Sequence, residues 1–145
     1  MENCSIAALF EEYGVEIPTT IEELEAACDV FLENGIVPMV LPNRTKYFGS
    51  MYYMYLVDRM AGPSLFAEAA NGGERTFEDD VFTWADQKIQ EWAEKGYFGD
   101  GDNSLDGETG MHRQMLYNNE AAMAPIGLSM TPEEYNKAML DAVTK

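Results

Sequence analysis

A capped helix that feeds directly into a short apolar strand most narrows what this chain can fold into. In the stretch PTTIEELEAACDVFLENGIVPMVLPNRTKYF, residues 18–48, the Thr20 hydroxyl is placed to cap a helix, and Glu23, three residues on, reaches back to the Thr20 amide. Gly35 supplies the left-handed residue that closes the helix. Between them Leu24, Ala27, Cys28, Phe31 and Leu32 keep the spacing of one buried stripe over 21–34. Residues 36–41 then read as a strand. A helix followed by a strand in this way points to an α/β architecture, where ligands sit just beyond the carboxyl ends of strands. That position holds Pro42, Asn43, Arg44, Thr45, Lys46 and the aromatic pair Tyr47 and Phe48, so this loop is the first place to expect binding.

The rest of the chain is helix-rich. Ser5 opens a short helix with Ile6, Leu9 and Phe10 on one side, ended by Gly14. Residues 50–60 are apolar on nearly all sides, which predicts a central helix enclosed between layers. Ser64 is expected to cap a short helix to Ala70. A long helix over 77–95 presents Val81, Trp84, Ile89 and Trp92 inward, with Gly96 just past its end. A Gly- and Asp-rich loop over 99–107 precedes a helix over 108–117, and a second strand is expected over 121–126. Thr131, Pro132 and Glu134 are the start signals of a last helix, to about Val143. With two strands so far apart in sequence, the expected sheet is small and either parallel or non-adjacent.

Charge removes whole classes of partner. The 145 residues carry 26 acidic and 9 basic side chains, a formal charge of −17, which repels phosphate backbones and anionic membranes; no nucleic-acid partner is expected. The hydrophobic fraction of 46% nevertheless suits a folded core in a chain of one domain's length. No apolar run reaches the length of a membrane span, and the first ten residues lack the pattern of a signal peptide. Cys4 and Cys28 could pair in an exported protein, but both lie in helix-like apolar settings and read as two free thiols. The glycosylation pattern at Asn3 and Asn43 is too short to carry weight.

Catalytic and metal chemistry find little support, and neither enzyme activity, metal nor cofactor is expected. Asp100, Asp102 and Ser104 hint at a calcium loop, but Leu105 stands where the turn glycine belongs and Met111 where the bidentate glutamate belongs. His112 is the sole histidine, which excludes a histidine cluster; it reads as a surface or helix-side residue. No carboxylate pair sits beside an apolar signal that would separate two pKa values. Trp84 and Trp92 could stack a ligand, yet their spacing is what core anchoring requires. A free-standing helical interaction module, binding protein through Met51, Met54 and Tyr55, is the alternative from another class.

The chain resembles the extracellular solute-binding proteins of carbohydrate ABC importers, the maltose-binding-protein-like family. The resemblance runs through residues 9–41, the Tyr47-Phe48 loop, Ala61-Gly62-Pro63, Lys95-Gly96-Tyr97-Phe98 and Glu120-Ala121-Ala122-Met123. It implies one lobe of a periplasmic-binding-protein-like (type II) fold, α/β and helix-rich with a small sheet. Residues 1–128 would be the main part of the second lobe, and 129–145 a C-terminal helix packing on it. The long excursion into the first lobe is missing, which implies an engineered internal deletion near 127–130.

The same resemblance implies that Tyr47 and Phe48 line a sugar site with Gly127 at its far end, where the family's tryptophan is missing, while Asn43, Arg44 and Thr45 are the loop's own donors and acceptors for hydroxyls. A pyranose suits such a loop independently, because its axial C–H face lies flat on an aromatic ring while its rim needs donors and acceptors. Packing against the next helix fits both aromatic residues as well. The implied partners are a mono- or oligosaccharide, the missing first lobe and the importer's permease, with a homodimer of the truncated lobe as a further one. The parent would be an exported, membrane-tethered lipoprotein.

Overall fold

The computed structural model describes residues 6–99, 105 and 107–124. Helix α1 (Ile6–Glu12) leads through an extended link to α2 (Ile21–Glu33) and strand β1 (Val37–Met39). Helices α3 (Phe48–Ala61), α4 (Ser64–Ala70) and α5 (Asp80–Glu94) follow, and a 3₁₀ turn (Gly107–Thr109), α6 (Met111–Tyr117) and β2 (Ala121–Met123) complete the described part. The helix-rich α/β organisation expected from the sequence is the one observed. The division at 128/129, the deletion near 127–130, the helix over 131–143 and Gly127 lie outside the described residues, as do Cys4, Asp100, Asp102 and Ser104.

Local signals account for most boundaries. Thr20 Oγ1 accepts from the Glu23 amide at 3.1 Å, and Glu23 Oε2 accepts from the Thr20 amide at 3.2 Å, closing the capping box. At the other end of α2, Gly35 (φ 75°) lets its own amide reach the Leu32 carbonyl and the Ile36 amide reach that of Phe31, so the helix stops and the chain turns into β1. Asn119 (φ 57°) makes the same turn after α6 and delivers the chain into β2. Two expectations need correction. Ser64 makes no capping bond, since Pro63 holds the cap position. Helix α5 starts at Asp80, because Asp79 accepts from the Val81 amide and fixes the first turn there.

The two strands are adjacent and parallel, with Val37 opposite Ala121 and Met39 opposite Met123. The first is shorter than the expected 36–41, and the second ends at Met123, with positions 125 and 126 of its expected span outside the described residues. Pro38 has no amide hydrogen, and the Met39 amide donates to the Tyr97 carbonyl (3.0 Å) instead of to β2, so the regular pairing ends there, although the Val40 amide still donates to the Met123 carbonyl (2.9 Å). Helix α3 also departs from expectation. Only Phe48, Tyr52, Leu56 and Val57 are buried, while Met54, Tyr55 and Met60 face outward; it is a one-sided helix, not an enclosed one.

The main core joins α2, α3, α4 and α5 around Cys28, Tyr52, Leu56, Leu65, Phe82, Ala85, Trp92, Tyr97 and Phe98. Trp92 is fully enclosed and Trp84 half-buried, so both act as packing residues. A smaller cluster of Leu9, Phe10, Ala27, Phe31, Ile36 and Ala122 fixes α1 against the strand side of α2.

Candidate functional site

Because the strands are parallel, both carboxyl ends open on the same edge of the sheet, and the segment after β1 is built there as a series of tight turns. The Asn43 amide donates to the Leu41 carbonyl (2.9 Å), the Lys46 amide to that of Asn43 (2.9 Å) and the Tyr47 amide to that of Thr45 (2.8 Å). Thr45 Oγ1 donates to the Pro42 carbonyl at 3.2 Å, and Lys46 takes a left-handed conformation (φ 62°). The Arg44 amide donates to the Leu105 carbonyl at 3.1 Å, which ties the loop to the segment before α6. A loop pinned this often presents its side chains in a fixed arrangement.

The aromatic pair splits. Tyr47 stands 54% exposed, whereas Phe48 is 6% exposed. The expectation of two aromatic rings at the rim is therefore corrected to one. Phe48 faces inward because it is already the first residue of α3 and because Gly107 leaves room for it; a β-carbon at Gly107 would overlap the Phe48 ring. The two rings still touch, with centroids 4.2 Å apart and planes inclined by 32°. Behind Phe48 lies His112, centroids 5.5 Å apart. Asn43 is half-buried, with its Oδ1 close to the Gly49 backbone, and Arg44 is exposed. Asn43, Arg44 and Tyr47 thus share one loop, and Phe48 belongs to its support.

His112 is the functional-site neighbour that the sequence reading misplaced. It is 1% exposed, not on the surface. Its Nδ1 has no hydrogen-bonding partner among the described residues, and burial, followed by the nearby Arg113 charge, holds its pKa below the ordinary histidine value. The signal was present, since His112, Met115 and Leu116 have the i, i+3, i+4 spacing of an inward stripe.

Two open clefts lie elsewhere. One, about 350 Å³, follows Tyr13–Thr19 along α2 with Glu23, Ala27 and Val30 on its wall. The other, about 270 Å³ and mainly apolar, is bounded by Ile17, Leu24, Met39, Tyr52, Tyr55 and Met123. Neither is lined by the Asn43–Phe48 loop. Cys28 is a free, buried thiol whose pKa is pushed up to about 12 by burial and then by the Asp29 and Glu25 charges, so it is inert as a nucleophile at neutral pH. Among the described residues no group of three His, Cys, Asp or Glu side chains is placed to hold a metal ion, and no helix is long and apolar enough to cross a membrane.

No protein-family model and no curated protein matches the chain. Among solved structures, it is similar to one from work on xylan utilization by the thermophilic bacterium Caldanaerobius polysaccharolyticus, with 32% identity and a TM-score of 0.73. The match covers 80% of this chain and 29% of that one, so this chain spans under a third of the length of that structure.

Proposed function

We propose that the chain is a carbohydrate-binding lobe, the second lobe of an extracellular solute-binding protein that delivers a mono- or oligosaccharide to an ABC importer. The observation that carries this reading is the exposed Tyr47 ring, held on a pinned loop just past the carboxyl end of β1. A flat apolar face beside Asn43 and Arg44 suits a pyranose, which offers C–H groups on one side and hydroxyls around its rim. Similarity to a structure from a xylan-utilization study supports a sugar-related role and makes xylo-oligosaccharides the first ligands to try. The chain acts as a binder, without catalysis or cofactor. Its partners are the sugar, a first lobe that closes over it, and a permease that recognises the closed form. The parent protein is exported and tethered.

A lone lobe supplies half of the walls, whereas small-ligand sites enclose 70% or more of their ligand. Xylo-oligosaccharides titrated into this chain should therefore bind with Kd in the millimolar range, on the order of −4 kcal/mol, and shift amide resonances over 43–48. Micromolar binding, or shifts confined to other surfaces, would overturn the reading. The exposed Met54, Tyr55 and Met60 on α3 favour a second one, a helical protein-interaction module. That reading predicts self-association in sedimentation runs, relieved by Tyr55→Glu.

A further inference from the structure

Stacking on a sugar favours a ring that is already still, because each side chain immobilised on binding costs conformational entropy. Tyr47 is half-exposed and its ring touches Phe48 (centroids 4.2 Å apart, planes inclined by 32°), which in turn touches His112 (5.5 Å, 54°), so three tilted rings form a column from solvent to interior. We propose that His112 is a positioning residue for the sugar platform, propping Phe48 and through it Tyr47 in the stacking orientation; this rests on the binding role given to Tyr47 above.

Stability alone does not explain a histidine here. Burying Nδ1 with no partner among the described residues costs folding free energy, and a hydrocarbon side chain would fill the space without that cost. The surroundings instead converge on Phe48. Gly107, five residues earlier, leaves the gap that the Phe48 ring occupies, and Leu105 accepts from the Arg44 amide at the start of the same loop. Leu105 thus holds the loop by its backbone, and Gly107 and His112 bound the Phe48 ring at its other end. His112 does not reach the sugar; it sets the angle of the ring that does.

The test uses aromatic NMR of the whole chain together with titration by xylotetraose. Stacking on Phe48 shifts the Tyr47 ring protons away from the values of a free tyrosine. In His112→Ala, those protons should move toward free values and the loop's apparent Kd should rise about threefold or more, while the amides of 37–40 stay in place. His112→Phe, which keeps a flat ring, should restore both readings to within about twofold. Gly107→Ala pushes on Phe48 from the other side and should reproduce the His112→Ala changes with the histidine intact, so it decides the matter if His112→Ala fails to fold. Unchanged Tyr47 protons and affinity in folded His112→Ala or Gly107→Ala would overturn the proposal. So would a His112→Phe chain as impaired as the alanine variant. If xylotetraose leaves the loop of the unaltered chain unperturbed, the sugar reading falls, and the Tyr47 protons alone then judge whether the column exists.

Discussion

The junction of α2 with α5 and the column beneath Tyr47 are both built from aromatic rings, but they treat polar atoms in opposite ways. At the junction every polar group is answered. Trp92 Nε1 donates to Glu25 Oε1 at 2.8 Å, Lys88 Nζ lies 2.8 Å from the same oxygen, and the Tyr97 hydroxyl donates to Asp29 and to the Glu25 carbonyl. Burial and the Asp29 hydrogen bond push the Tyr97 pKa well up, so the phenol remains a donor across the working pH range. In the column the rings are joined by contact, and the innermost keeps an Nδ1 with no partner among the described residues. Satisfied polar contacts secure the body. Stacked rings settle the direction of one side chain at the rim, where orientation matters more than stability.

That contrast can be broken by substitution, with the largest effect expected in the body. Trp92→Ala removes an enclosed ring and leaves Glu25 without its indole donor, and should lower the unfolding free energy in urea by about 3–5 kcal/mol. Tyr97→Phe removes the hydroxyl alone and should cost about 1–2 kcal/mol. A loss as large as that of Trp92→Ala would mean that the junction is held by its hydrogen bonds more than by packing. Thr20→Ala opens the capping box of α2 and should cost about 1 kcal/mol, read as a lower thermal midpoint.

Acidification sharpens the comparison from the column side. His112 has a folded pKa below its ordinary value of 6.5, so the unfolded chain takes up the proton first. Its contribution to stability is complete above about pH 6.5 and declines as the pH falls from there toward the folded pKa. The urea midpoint should therefore drop more between pH 7.5 and 5.5 in the unaltered chain than in His112→Phe; equal drops would show that His112 has the same pKa folded and unfolded. The smallest effect on stability belongs to Tyr47→Ala, within about 0.5 kcal/mol, since most surface substitutions fall in that range. In a protein carrying both lobes the same substitution should still weaken sugar binding about tenfold, or 1.4 kcal/mol.

How much of this was legible in the sequence depended on whether the deciding contact was local. The α2 capping box and the turn at Gly35 are set within a few residues and were readable as such. The end of β1 was not, because the Met39 amide finds its acceptor at Tyr97, far along the chain. The apolar surroundings of residues 50–60 overstated burial, since hydropathy does not say which side of a helix its neighbours leave open; Met54, Tyr55 and Met60 remain outward. At the loop, composition singled out Tyr47 and Phe48 together. Their separation into a rim ring and a buried ring follows from Gly107 and His112, some sixty residues away, which no local pattern connects to them.

The pairing of Val37 with Ala121, 84 positions later, governs the order in which the molecule is made. Helices α3 to α5 can assemble from neighbouring segments, whereas the α2–α5 junction and, last of all, the sheet wait for closures whose entropy grows with the length of chain enclosed. On a ribosome, β1 emerges long before its partner has been synthesised, so the helices must shelter a lone strand until the final third of the chain arrives.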